Sequence, residues 1–330
     1  MDDRFLHELR REPDPGFARS LRERLRGVED EAPARGFRLV PALASAAGIA
    51  LVVALFTVPA VRVAAQNALD LFRVRSFAAV EVDQSRLDQL RAIHDQLGED
   101  PAALVFDHQE VLQEPAQPVD YPSADLAGNA AGLPNLRQPR QPMPNGLHFT
   151  KATVSGEGAA RMSVNTEKLR KVVEMLGLTD VQIPAGLDGQ NVTVHKPAVV
   201  MQEFENGATK MTLVESRSPE VSLPPGTDMR QLGEIGLRVL GLEADEAHRV
   251  AGSIDWKSTV VVPVPPTAES FRQVHVNGQT GLLIRFRDVD ENGKRRRSGA
   301  LLMWTEGDRV LAMRTNLPND EVLDVAQSLR

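Results

Sequence analysis

One stretch breaks the mixed polarity of this chain: LVPALASAAGIALVVALFTVPAV, residues 39–61, runs for 23 residues without a charged side chain. As a helix it would extend roughly 34 Å, enough to cross a hydrocarbon layer of about 30 Å. Its only polar side chains, Ser45 and Thr57, can bond back to helical carbonyls, so no face is left for water. The pattern predicts a transmembrane helix. A cleavable signal peptide is the rival reading, since VRVAAQ places Val63 and Ala65 at small-residue positions. The apolar run is longer than such a peptide uses and 38 highly charged residues precede it, which favours an anchor.

Ahead of the span, DPGFARSLRERLRG (residues 14–27) carries Phe17, Leu21 and Leu25 at helical spacing, with Arg22 in an Arg-rich opposite face. Asp14 suits the N-cap, Pro15 the first turn and Gly27 the end. This short amphipathic helix reads either as a membrane-proximal helix or as a docking helix for a cytoplasmic partner.

Beyond the span the periods change repeatedly. SFAAVEVD alternates as a strand, and QSRLDQLRAIHDQLG reads as a helix ending at Gly98. AALVFDHQEVLQ reads as a strand pair or one long strand. Residues 114–146 hold Pro115, Pro118, Pro122, Pro134, Pro139, Pro142 and Pro144, and read as an irregular connector around one short helix, SADLAGNAAGL. DLAGNAAGLPNLRQPRQPMPNG and KLRKVVEMLGLTDVQIPAGLDG share an order of helix, Gly-Leu, extended piece, Pro, turn glycine and strand. The segment QNVTVHKPAVVMQEFENGATKMTLVESRSP predicts a hairpin about Asn206-Gly207. A helix over residues 228–250, broken near Gly241, comes next.

The last sixty residues are the most regular. FRQVHV, TGLLIRFR, GALLMWT and RVLAMRT predict four strands joined by short turns, hence an antiparallel meander. The closing helix PNDEVLDVAQSL should pack Val322, Leu323, Val325, Ala326 and Leu329 on one sheet face. The fold class is therefore α+β: one N-terminal transmembrane helix, then a domain of antiparallel sheet packed by helices.

Orientation follows from the basic residues. Six arginines (Arg19, Arg22, Arg24, Arg26, Arg35, Arg38) lie in the 20 residues before the span and three (Arg62, Arg73, Arg75) in the 20 after it. The positive-inside rule then puts residues 1–38 in the cytoplasm and 62–330 outside. The formal net charge of −7 argues against a nucleic-acid partner. The chain has no cysteine, which excludes disulfides, thiolate metal sites and a cysteine nucleophile.

Catalytic signatures do not emerge. There is no phosphate-binding glycine loop, paired-histidine zinc helix or nucleophile-elbow serine, and the seven histidines are dispersed. The sequence predicts neither an enzyme nor a resident cofactor or metal. DVDENG places Asp288, Asp290, Asn292 and Gly293 as a calcium loop would. Gly299 stands where the bidentate Glu belongs and Lys294, Arg295, Arg296 and Arg297 crowd the site, so it reads as a solvated hairpin tip. Asp255-Trp256 reads either as an exposed Trp in a ligand groove or as a core aromatic beside an Asp turn residue.

The anchor followed by LFRVRSF, then SIDWKSTVVVPVP, and the ending LLMWTEGDRVLAMRTNLPNDEVLDVAQSL resemble bacterial anti-sigma-factor-like single-pass membrane proteins with an uncharacterised extracytoplasmic domain. The resemblance covers residues 62–330 and is most specific over 301–329, strand, Trp304, acidic turn, strand and helix. It implies a signal-transducing regulator whose outer domain, similar to lipoprotein-carrier folds, senses or binds an envelope lipid or protein. Asp255, Trp256 and Trp304 are its candidate outer motif. It further implies a sigma factor or other regulator as the cytoplasmic partner, met by Phe17, Leu21, Arg22 and Leu25. A zinc-type member carries a His and two Cys before the membrane, whereas this chain has only His7 there and no Cys. The alternative function is a membrane-anchored lipid- or lipoprotein-binding module without a role in transcription.

Overall fold

The computed structural model describes residues 71–97, 104–286 and 299–330. The segments 1–38 and 39–61, with Phe17, Leu21, Arg22 and Leu25, and the DVDENG tip lie outside the described residues. Among the described residues no helix is long and apolar enough to cross a membrane.

Strands β1 (Leu71–Phe72) and β2 (Ser76–Glu81) lead into helix α1 (Gln84–Leu97). The run AALVFDHQEVLQ then gives one strand, β3 (Phe106–Gln113), followed by β4 (Val119–Tyr121) and helix α2 (Ala124–Ala130). Next come β5 (His148–Ser155), β6 (Gly158–Val164), helix α3 (Thr166–Met175), β7 (Asn191–Lys196), β8 (Val199–Asn206), β9 (Thr209–Arg217) and β10 (Glu220–Ser222). Helices α4 (Met229–Val239) and α5 (Ala244–Ser253) precede β11 (Thr259–Val264). The meander β12 (Ala268–Val276), β13 (Gln279–Phe286), β14 (Gly299–Glu306) and β15 (Arg309–Thr315) follows as predicted, and helix α6 (Asn319–Ser328) covers it.

Two antiparallel sheets result, ordered β12-β13-β14-β15-β9-β8-β5-β4 and β1-β10-β7-β6-β3. The two orders run in step. Chain segments β3/β4, β5/β6, β7/β8 and β9/β10 each pass from one sheet to the other and keep the same neighbours in both. They are four long strands whose ladder is interrupted along a common seam, at residues 114–118, 156–157, 197–198 and 218–219. The seam is written in Pro115, Pro118, Gly156, Pro197 and Pro219. Proline has no N–H for a ladder, and Gly156 allows a close approach: a Cβ there would stand 2.6 Å from the Ala116 nitrogen.

This seam corrects one expectation. The predicted hairpin about Asn206-Gly207 exists as β8–β9, with Gly207 at φ +56° in its turn, but the first run is cut at Pro197 and β7 belongs to the other sheet.

The eight-stranded sheet is covered on both faces. On one, α6 places Val322, Val325 and Ala326 against Leu283, Leu302, Trp304, Leu311 and Met313. On the other lies a two-stranded parallel ribbon of β2 and β11, in register from Thr259 opposite Ser76 to Val264 opposite Glu81. Phe77, Val260 and Val264 of the ribbon meet Leu282 and Ile284 of the sheet. Its far side turns Val80 and Val261 toward a helical core built from α1 and α3–α5, including Leu90, Val173, Leu237 and Ala251. Burial on both faces explains the nearly unbroken apolar run TVVVPV, as parallel strands require.

Helices α2, α3 and α4 end alike. Gly132, Gly177 and Gly241 have positive φ, and the following leucines donate backward: Leu133 to Gly128 at 2.8 Å, Leu178 to Val173 at 3.0 Å and Leu242 to Leu237 at 3.1 Å. This is the Schellman arrangement. The two segments that echo one another in sequence share that cap and a following turn, and their next strands, β5 and β7, lie in different sheets. Gly241 is also where the predicted break between α4 and α5 falls.

Candidate functional site

The Pro-rich stretch between α2 and β5 is a strap over the α6-covered face of the large sheet. Leu133, Leu136, Met143 and Leu147 plug into that face and are buried. Polar ties fix the strap between these plugs. Glu215, on β9 in phase with buried Met211 and Leu213, is 0% exposed. Its Oε2 accepts the Arg137 backbone N–H at 2.8 Å, and its Oε1 pairs with the Arg309 guanidinium. Arg309 also donates to the carbonyls of Asn135 at 3.1 Å and Pro134 at 2.8 Å. Gln202, fully buried on β8, donates Nε2 to the Arg137 carbonyl at 2.9 Å, and its Oε1 has no partner among the described residues. Midway along the strap, Gln138 exchanges two backbone hydrogen bonds of 3.1 Å with Arg330.

The Arg137 side chain leaves this network outward. Its Nε donates to Glu306 Oε2 at 2.7 Å, while the other oxygen of Glu306 accepts the indole N–H of buried Trp304 at 3.1 Å. A recess of about 640 Å³ opens over these groups, lined by Asn135, Arg137, Asn277, Gln279, Glu306 and Asp308 among others. Two of its lining residues, Asn135 (φ +58°) and Asn277 (φ +48°), and its Gly307 (φ +63°) hold left-handed backbone. Asn277-Gly278 and Gly307-Asp308 are the tight turns of β12–β13 and β14–β15, so hairpin geometry fixes that part of the rim. Asn135 is held instead by the Arg309 bond to its carbonyl.

The candidate outer-motif residues divide between two places. Trp304 is fully buried in the sheet core, and its indole N–H holds Glu306, which lines the recess. Trp256 packs half-buried on the helical core, its Nε1 donating to the Ala251 carbonyl at 2.8 Å. Asp255 launches β11: its side chain accepts Ser258 Oγ at 2.6 Å and the Lys257 N–H at 3.1 Å, which holds its carboxyl below the usual carboxylate range. The structure therefore does not bring Asp255 and Trp256 together with Trp304. Phe17, Leu21, Arg22 and Leu25 lie outside the described residues.

Glu215 and Gln202 carry the network, and the sequence pattern did not single them out. A signal existed: each occupies the buried phase of an alternating strand, Val200-Gln202-Phe204 and Met211-Leu213-Glu215. Their partners Arg137 and Arg309 leave no such trace. A second recess of about 970 Å³ lies between β2, the α4–α5 turn and the start of β12, with exposed Glu81, Asp83 and Glu246 at its rim. Among the described residues no group of three or more His, Asp or Glu could hold a metal ion. No family model, curated protein or solved structure matches this chain.

Proposed function

We propose that this chain is a single-pass membrane regulator of the bacterial inner membrane. Residues 62–330 form an extracytoplasmic binding or sensing domain, and residues 1–38 present one amphipathic helix to a sigma factor or another cytoplasmic regulator. The observation that carries the reading is the uncharged run 39–61, which nine residues, 62–70, separate from the start of β1 at Leu71. Nine residues reach at most about 30 Å, so the domain that starts at β1 is tethered close to the lipid surface. The six-to-three arginine bias sets the orientation.

Two measurements test it. Protease added to spheroplasts should digest the C-terminal domain along with a periplasmic control; survival of that domain would reverse the orientation. Affinity purification of the full chain should recover a sigma factor or other cytoplasmic regulator, and deletion of residues 14–27 should abolish recovery. Recovery unchanged by that deletion removes the role given to Phe17, Leu21, Arg22 and Leu25. Lipid or a lipoprotein co-purifying without any cytoplasmic partner would favour a membrane-anchored carrier module instead.

A further inference from the structure

We infer that the recess over Arg137 and Glu306 is a binding site for a neutral, polyhydroxylated ligand of saccharide type. The inference rests on the binding-domain half of the function proposed above and not on membrane orientation.

Its basis is the set of groups left available once the internal pairs are counted. Glu306 is satisfied on both oxygens, by Arg137 and by Trp304. The Arg309 guanidinium is committed to Glu215 and to two strap carbonyls. What else lines the recess is Arg137, whose Nη groups have no hydrogen-bond partner among the described residues, and Asp308, whose carboxylate is 74% exposed and stands 3.9 Å from Arg217 Nε in a surface ion pair. The side-chain amides of Asn135, Asn277 and Gln279 complete the set. Each charge is already matched, Arg137 by Glu306, Arg309 by Glu215 and Asp308 by Arg217, so with the three amides the site presents donors and acceptors without a net charge to favour an anion or a cation. Vicinal hydroxyls, each both donor and acceptor, satisfy such a set best. A volume of about 640 Å³ accommodates a disaccharide. The frame is rigid before any ligand arrives, because two hairpin turns and the tied strap hold it, and preorganisation of this kind lowers the entropic cost of binding. Among the described residues Leu329 is the apolar side chain in the lining, with no aromatic ring beside it. Affinity should therefore be modest, in the millimolar range.

The test uses the full chain in lipid nanodiscs free of glycolipid, with N,N′-diacetylchitobiose as the probe and citrate and spermidine as charged comparators. Saturation-transfer NMR and calorimetry should show the disaccharide bound in preference to both ions. The double variant Asn277→Gly/Gln279→Ala removes two amides from exposed positions, and glycine keeps the left-handed turn. It should weaken binding about tenfold or more, equivalent to about 1.4 kcal/mol, with an unchanged melting temperature. Should the double variant melt lower, Asn277→Gly alone is read and should still weaken binding severalfold. No saccharide signal at about 10 mM, equal binding by the variants, or tighter binding of citrate or spermidine would each overturn the assignment.

Discussion

At Gly233 the absence of a side chain decides how two elements meet. A Cβ built there would lie 2.2 Å from Cε2 and Cζ2 of Trp256, so the indole rests directly on the α4 backbone. Glycine inside a helix costs about 1 kcal/mol relative to alanine, and that cost is accepted here in exchange for the contact. Gly233→Ala should therefore reverse the usual effect of such a change. The ring must move, and with it goes the hydrogen bond from Nε1 to the Ala251 carbonyl. Overpacking of this kind costs roughly 1–3 kcal/mol, and thermal denaturation should show a melting temperature several degrees lower. Adding Trp256→Leu should recover part of the loss, making the pair of changes less damaging than their sum. A variant Gly233→Ala that melts with the wild type would mean that Trp256 does not sit on α4. Asp255, the residue before Trp256, acts as the turn acceptor that starts β11, so the Asp-Trp pair divides into one backbone role and one packing role.

Among the elements, α3 shows how a helix start is tied to a distant strand. Asn165 caps the helix by accepting the Lys168 N–H at 2.8 Å, and Asp188, which follows the turn before β7, accepts both the N–H and the hydroxyl of Thr166. The Thr166 N–H foremost, then its hydroxyl, hold the Asp188 carboxyl below its ordinary range. A carboxylate depressed in the folded state contributes stability above its unfolded pKa and loses it as pH falls through the lower folded value. The gap in melting temperature between wild type and Asp188→Asn should thus be present at neutral pH and close below about pH 4. A gap that persists unchanged in acid would remove Asp188 from this role. Elements with a strong period of their own were readable: the meander, α6, and the α4–α5 break at Gly241 all follow from local pattern and turn chemistry. The parallel pairing of β2 with β11 was not, because its partners are separated by nearly the whole domain and nothing local specifies it. The seam was written in prolines and Gly156, yet a proline reads equally as a loop, and only the matching neighbour order of the two sheets shows that the strands continue across it.

At the scale of the whole molecule, the strap joins what the chain order keeps apart. Residues 132–147 touch β8, β9, β14, β15 and the C-terminal Arg330, and the tie at the centre is the buried Glu215–Arg309 pair. Composition predicted irregular backbone here, and irregular backbone can still be fixed when its polar groups find partners in the sheet. Such a pair contributes little net stability over an apolar replacement, whereas removing one partner leaves an uncompensated charge. The consequence is separable by experiment. Glu215→Gln should destabilise the domain by about 3 kcal/mol, the low end for a broken buried pair because Arg309 stays 21% exposed. It should also expose the bonds after Arg137 and Arg140 to trypsin under conditions that leave the wild type intact. The double variant Glu215→Leu/Arg309→Leu removes both charges, and its melting temperature should return most of the way to wild type. Its strap should nonetheless remain cleavable, since the bonds to the Asn135 and Pro134 carbonyls and to the Arg137 N–H are gone. Recovery of both properties together would show that packing of the four plug residues alone positions the strap. Recovery of stability without protection would show that the ion pair is kept for placement, holding Arg137 and Asn135 at the rim of the recess.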